Sequence, residues 1–422
     1  MAKGRVIAGI DVGSAKIATI IAQANPENDS LNILGVSWVP TPPDGVKAGQ
    51  IVDIERATVS IIASVEKAER MAGFAVSDVV AVINGGHIQG QNSRGVVAVA
   101  SPDGEIDRND IDRVIDAARA LSLPQTREII HVLPREFIVD GESGIKDPIG
   151  MSGVRLEVDA HIVTASSTAI KNLTKCVSEV GAKISGVVFS AFASSEAVLS
   201  STERELGVVL VDIGAGTTSI AVFSEGALSH SRVLPIGAKN ITNDLAIGIR
   251  TSLESAEKIK LKLSEPKKKD DEDEISVDLT GDEDGPRTVS KKTIADGIIK
   301  PRLNEIWTMV GMELKSAGLG GRTPAGVVLT GGGAMTVGAQ DSARRILALP
   351  VRIGTPGVGL SGLIDDIASP AYSSTVGSVL WASRNMPEVS TFSLGGITRT
   401  FEGIPVKGVV GKIVDTIRGL LP

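Results

Sequence analysis

The chain has 422 residues, 42% of them hydrophobic but only 3% aromatic, and a formal net charge of −7. That length allows two or more domains, with cores built from Val, Ile, Leu and Ala, and the acidic balance excludes general nucleic-acid binding through a basic surface. The single cysteine, Cys176, cannot form an intrachain disulfide and lacks a His/Asn arrangement that would make it a nucleophile, so a reducing compartment is expected.

Apolar runs at 6–10 and 17–22 read as paired strands, and a third follows at 31–36. Pro40, Pro42, Pro43 and Gly45 then mark a turn. Over 54–71, Ile54, Ala57, Ile61, Ile62, Val65 and Ala68 recur at helical spacing, which predicts a helix packed on that sheet. Residues 79–86, VVAVINGG, form another strand ending in glycines. From 83 to 163 the pattern changes to a strand-like GVVAVAS, a helix over 108–120 and two longer strand-like stretches, the signature of a small α+β module inserted into the first domain. Helices resume over 168–181 and 194–201.

The second half repeats the plan. VIAGIDVGSAKIATII (6–21) is matched by GVVLVDIGAGTTSIAVF (207–223), each an apolar run, Asp-x-Gly, a small or hydroxyl residue, and a second apolar run. A further insertion follows, with a helix near 253–263 and a charged stretch over 265–288 that reads as a solvated hairpin and loop. GVVLTGGGAMTVG (326–338) is a strand entering a glycine-rich loop, followed by a helix over 340–348.

Glycines 13, 214 and 216 would let backbone N–H groups approach phosphate oxygens with no Cβ in the way. Ser14, Thr217 and Thr218 add hydroxyl donors and Lys16 a cation. A carboxylate against phosphate is repelled, so Asp11 and Asp212 make sense with Mg²⁺ or an attacking water between. Neither a Walker A pattern nor a G-x-G-x-x-G opening a helix is present, which excludes a P-loop or Rossmann site by motif. Two such hairpins facing one another would clamp the phosphates of a nucleotide, one jaw from each half.

On these residues the chain resembles the actin/sugar-kinase/DnaK-type ATPase superfamily. DVGSAK is similar to its first phosphate motif, DIGAGTTS to its second and LTGGGAM to its adenosine motif. FSAFASSEAVLS and SPAYSSTVGSVLWAS stand where its two connecting helices belong. Within that superfamily the chain resembles the FtsA family of bacterial cell-division proteins over nearly its whole length. The stretch REIIHVLPREFIVDGESGIKDPIGMSGVRLEVDAHIVTAS is similar to that family's inserted subdomain, and SAEKIKLKL to the helix bordering adenine.

The resemblance implies an α/β, actin-like ATPase fold with two related cores facing an ATP cleft. The first core would span 1–82 and 164–204 with its insertion at 83–163, and the second 205–233 and 317–390 with its insertion at 234–316. ATP and Mg²⁺ are the implied cofactors. Gly13, Ser14, Ala15 and Lys16 would contact phosphates from one side, and Gly214, Ala215, Gly216, Thr217 and Thr218 from the other. Gly331, Gly332, Gly333 and Ala334 would lie under the nucleoside, Glu257 and Lys260 would contact the adenosine, and Asp11 and Asp212 would position Mg²⁺ or water. On spacing alone, Glu257 and Lys260 are equally an exposed i, i+3 ion pair.

After a linker at 391–403, IPVKGVVGKIVDTIRGLLP (404–422) places Val406, Val409, Val410, Ile413, Val414, Ile417, Leu420 and Leu421 on one helical face, with Lys407, Lys412 and Arg418 opposite. That is the pattern of an interfacial membrane anchor, or of a final helix docked on the protein itself. Gly408, Gly411 and Gly419 weaken the helix by roughly 1 kcal/mol each, so one copy should bind membrane modestly and several copies along a filament more strongly. With no apolar run of 18 residues and Asp11 too early for a signal peptide, a peripheral position on the cytoplasmic side of the membrane is expected. The resemblance further implies self-association into actin-like filaments, binding of the FtsZ tail on about 234–316, other divisome partners at the division site and slow Mg-dependent ATP turnover. The alternatives are a PilM-like pilus-assembly protein, which lacks the lipid-binding helix, and a small-molecule kinase, which would need a third acidic residue in the cleft.

Overall fold

The computed structural model describes residues 5–25, 30–101, 103–266, 273–277 and 287–386. The linker and tail expected at 391–422, and most of the charged stretch over 265–288, lie outside the described residues.

Two sheets carry the architecture. The first has six strands in the spatial order Lys183–Phe189, Asp78–Ile83, Val6–Val12, Lys16–Ala24, Leu31–Pro40 and Leu360–Gly362. Val6–Val12 pairs antiparallel with Lys16–Ala24 and parallel with Asp78–Ile83, which in turn pairs parallel with Lys183–Phe189. The second sheet opens with the same five-strand plan in Val351–Ile353, Val327–Thr330, Val208–Ile213, Thr218–Ser224 and Ala227–Leu234. Here too the central strand makes one antiparallel hairpin and one parallel pairing to a strand that itself pairs parallel onward. The repeat seen in sequence as one hairpin is therefore a repeat of a whole sheet.

Each sheet is covered by helices. Ile54–Ala72 buries Ala57, Ile61, Val65 and Ala68 on the first sheet. It begins where the Asp53 side chain accepts the Arg56 N–H, and it ends at Gly73, whose positive φ of 72° suits a residue without Cβ. Over the second sheet lie Ala238–Gly248, Leu253–Ser264 and Lys300–Ser316, of which only the second is expected from the sequence. Trp307, fully buried, packs there with Ile306, Val310 and Leu329, and its indole N–H donates to the Ala339 carbonyl at 3.1 Å. The described part of the charged stretch is the expected hairpin, Glu274–Val277 paired with Arg287–Ser290.

The module between the halves consists of Gln89–Ala98, Arg127–Val139, Glu142–Ile145 and Arg155–Ser166, with the helix Arg108–Arg119 on one face. Its own core holds Ile106, Val114, Ala118, Phe137, Leu156 and Val158. Its first strand starts six residues earlier than the apolar GVVAVAS suggests. The polar residues 89–94 pair with Arg155–Ser166, and partner pairing outweighs their weak strand propensity. Gln89 also meets Arg232, joining this sheet to the second core at a single residue pair.

Two helices cross beneath the cleft. Ser190–Val198 and Ser373–Asn385 approach so closely at Gly377 that any side chain there would overlap the backbone of Ala193.

Candidate nucleotide-binding site

Both halves end their central strand in the same turn. The Gly13 N–H donates to the Lys16 carbonyl at 3.0 Å, and the Gly214 N–H donates to the Thr217 carbonyl at 2.8 Å. A Cβ on Gly13 would stand 2.7 Å from that Lys16 oxygen. A Cβ on Gly216 would lie 3.0 Å from both the Ala48 Cα and the Ser14 hydroxyl, so the two turns face each other at a spacing that a side chain there would crowd. Ser14 accepts the Gly49 N–H at 2.9 Å, which fixes the first turn within its own core. The second turn is held by a helix start: the Ala238 and Lys239 N–H groups donate to the carbonyls of Gly214 and Ala215 at 2.9 and 2.8 Å.

Between the turns lies a cavity of about 580 Å³, within the range of small-molecule sites. From the first hairpin Asp11, Gly13, Ser14, Ala15 and Lys16 line it. Asp212, Gly214, Ala215, Gly216 and Thr217 line it from the second, and Gly331, Gly332 and Gly333 from the loop after Val327–Thr330. Glu257 and Lys260 close its far side from the helix Leu253–Ser264. Lys260 is buried and donates to the Glu257 carboxylate at 2.7 Å and to the Thr242 hydroxyl at 2.9 Å, so the i, i+3 ion pair forms and stands at the cavity wall. Thr218 and Ala334 stand apart from the lining. Strand alternation turns Thr218 away from its neighbour Thr217, and its hydroxyl donates to the Ile236 carbonyl at 2.8 Å. Ala334 is 2% exposed and packs into the second core.

Four positions at this site escaped the sequence reading. Each acidic residue is held by a serine of a crossing helix: Ser374 donates to Asp11, and Ser194 donates to Asp212 at 2.7 Å. The Lys16 ammonium lies 3.6 Å above the ring centroid of Tyr372, the only tyrosine in the chain. Asn84, at the end of Asp78–Ile83, reaches across to the second hairpin. The serines and Tyr372 fall in the two stretches identified as connecting helices, but nothing in a run of small residues says which hydroxyl faces the cavity. Asn84 had a fainter signal, as a polar residue closing an apolar strand just before two glycines.

The electrostatics are those of a dry, charged pocket. Burial raises the Asp11 carboxyl above its usual range, against the Ser374 hydrogen bond and nearby Lys16. Asp212 is pushed up to about 7, chiefly by burial; the Ser194 bond and Lys16 oppose this and the Asp11 charge adds to it. Burial lowers Lys16 to about 8, opposed by Asp11 and Asp212. Two carboxylates that repel each other in one cavity, with oxygen atoms as donors, fit a hard divalent cation of the Mg²⁺ kind. Among the described residues no group of three or more His, Cys, Asp or Glu is placed to hold a metal by itself, so such an ion would need oxygens from water or ligand.

The duplicated sheets, the facing glycine turns and the crossing helices define the class: this is an actin-like ATPase fold. Solved structures agree in fold. The PilM–PilN type IV pilus biogenesis complex matches with a TM-score of 0.64 at 15% identity, covering 89% of this chain and 98% of that one. MreB5 of Spiroplasma citri bound to ADP matches at 0.53 and 16% identity, over 90% of this chain and 99% of that one.

Sequence comparison gives the family. The family model described as "SHS2 domain inserted in FTSA" matches residues 85–164, and that described as "Cell division protein FtsA" matches 209–377. The chain is 36% identical to the cell division protein FtsA of Pseudomonas aeruginosa, over 93% of each chain. It is 39% identical to that of Bacillus subtilis, over 91% of this chain and 85% of the relative. It belongs to the FtsA family and is an actin-like cell-division protein.

Proposed function

We propose that the chain binds ATP with Mg²⁺ in this cavity, polymerises on the membrane, and tethers the FtsZ ring to its cytoplasmic face at the division site, helping to recruit other divisome proteins. The observation that carries the nucleotide part is the convergence of two glycine turns, from two copies of one sheet, on a single cavity. The remaining N–H groups of the turns, the Lys16 ammonium and the Ser14 and Thr217 hydroxyls suit a polyphosphate, the Gly13 and Gly214 N–H groups being taken up within the turns. Glu257 and Lys260 would take the adenosine end. Asp11 and Asp212 would hold Mg²⁺ through water, and the ion would neutralise phosphate charge beside them. The residues of this chain bind and orient, and slow turnover is expected. The ADP bound to MreB5 supports the reading by analogy of fold.

The membrane part rests on the apolar spacing of the sequence at 406–421 and on family membership; filament formation and the docking of the FtsZ tail on about 234–316 rest on family membership alone. Among the described residues no helix is long and apolar enough to cross a membrane.

Two measurements test the proposal. Titration of the full chain with a fluorescent ATP analogue and Mg²⁺ should show saturable binding, weakened at least ~10-fold in Lys16→Ala by loss of a charged contact; a wild type that does not bind sinks the nucleotide reading. Co-sedimentation with anionic liposomes, with ATP and Mg²⁺, should pellet the full chain but not one truncated after residue 403. If both stay soluble, the tail is a docked helix and a PilM-like role gains.

A further inference from the structure

We infer that Asn84 is a positioning residue that aims the Thr217 hydroxyl into the cavity; the inference rests on the nucleotide reading above. Asn84 directly follows Asp78–Ile83, a strand of the first sheet, yet its side chain is hydrogen-bonded to the second hairpin at two points. Its carbonyl oxygen accepts the Ser219 hydroxyl at 2.9 Å and also its neighbour Gly85's N–H at 2.8 Å. Two donors at the oxygen fix the orientation of the amide, so the NH₂ must face the other way. There it donates to the Thr217 Oγ1 at 2.9 Å.

A threonine hydroxyl has one proton and two acceptor sites. Thr217 spends an acceptor site on Asn84, and among the described residues no hydrogen bond takes its proton. Thr217 is 3% exposed and lines the cavity. A buried hydroxyl with an uncommitted proton beside a cavity is a donor waiting for an acceptor. Ser190 extends the chain at its other end, its hydroxyl 3.2 Å from that of Ser219 and donating to it. The polarity then runs one way, from Ser190 through Ser219 and Asn84 to Thr217 and into the cavity, and each bond polarises the next. An anionic oxygen, such as that of a phosphate, is the acceptor this arrangement suits.

Asn84→Asp tests this. An aspartate has only acceptors when ionised, so the Thr217 proton would turn back toward residue 84 and a negative charge would stand where a donor stood. ADP and ATP affinity, measured with Mg²⁺ by calorimetry on the full chain, should fall at least ~10-fold, while adenosine affinity stays within error. Thr217→Val, which removes the hydroxyl and adds no charge, should cost about 3- to 10-fold for the phosphorylated ligands alone. Asn84→Ala with Thr217→Val should cost no more than Thr217→Val, because Asn84 acts through that hydroxyl. Wild-type affinity for ADP in both single variants, or an equal loss for adenosine, overturns the inference. A wild type that binds no nucleotide overturns the reading beneath it instead.

Discussion

The two glycine hairpins are built alike and charged differently. Each places a glycine N–H on a carbonyl three residues on and each hangs its aspartate on a serine of a crossing helix. At the position whose carbonyl closes the turn, the first copy has Lys16 and the second Thr217. One jaw thus carries a cation over Tyr372, and the other a neutral hydroxyl held by Asn84. Their supports differ too. The first turn is tied to its own core through Ser14 and Gly49, whereas the second is tied to a helix start and to the opposite core. Duplication supplies two turns of the same geometry, and they differ in one side chain and in where the turn is anchored.

The comparison can be broken first at the cores. Trp307 fills the second half as Ile61 helps fill the first, both fully buried. Trp307→Ala should lower stability by about 3–5 kcal/mol, read as a shift in denaturant midpoint with unchanged slope, through the cavity it leaves. An Ile61→Ala variant that costs more would show the first core to be the less tolerant.

The acids differ next. Asp212 near 7 binds a proton in the folded state that it has lost in the unfolded chain above about pH 4. The ligand-free protein should therefore lose stability from this group as pH rises from about 4 to 7, by at most about 4 kcal/mol for a shift of that size. Asp212→Asn should flatten that slope and leave the variant more stable than wild type above about pH 7 without nucleotide. Thermal unfolding across the range measures it, and an unchanged slope would mean that Asp212 titrates near its ordinary value.

The smallest effect separates structure from site. Asp53 caps the helix Ile54–Ala72 and does not line the cavity, and Asp53→Ala should cost about 1 kcal/mol of stability with nucleotide affinity unchanged. The corresponding helix of the second half, Ala238–Gly248, has Gly237 at its N-cap, whose N–H donates to the Asn240 side-chain carbonyl at 3.0 Å, and its first N–H groups hold the second turn. A Cβ at Gly237 would stand 2.6 Å from the carbonyls of Gly214 and Ala215. Gly237→Ala should therefore weaken nucleotide binding more than it lowers stability, the reverse of Asp53→Ala, when both are measured on the same preparations.

The elements that repeat were legible in the chain before any fold was known: both hairpins, the helical face of Ala57, Ile61, Val65 and Ala68, the module between the halves and the glycines of the three loops. They are legible because the side-chain period and the need for positive or crowded backbone positions act over a few residues. Which atoms meet was left to the closing of the fold. Ser374 and Asp11 are 363 positions apart, and Asn84 and Thr217 are 133 apart. Such pairs leave no mark in local spacing, because they come from the way two sheets and two crossing helices close on one cavity. The same closure explains why Thr217 lines the cavity while Thr218, an equal candidate in sequence, is turned by one strand position into the core and bonded to Ile236.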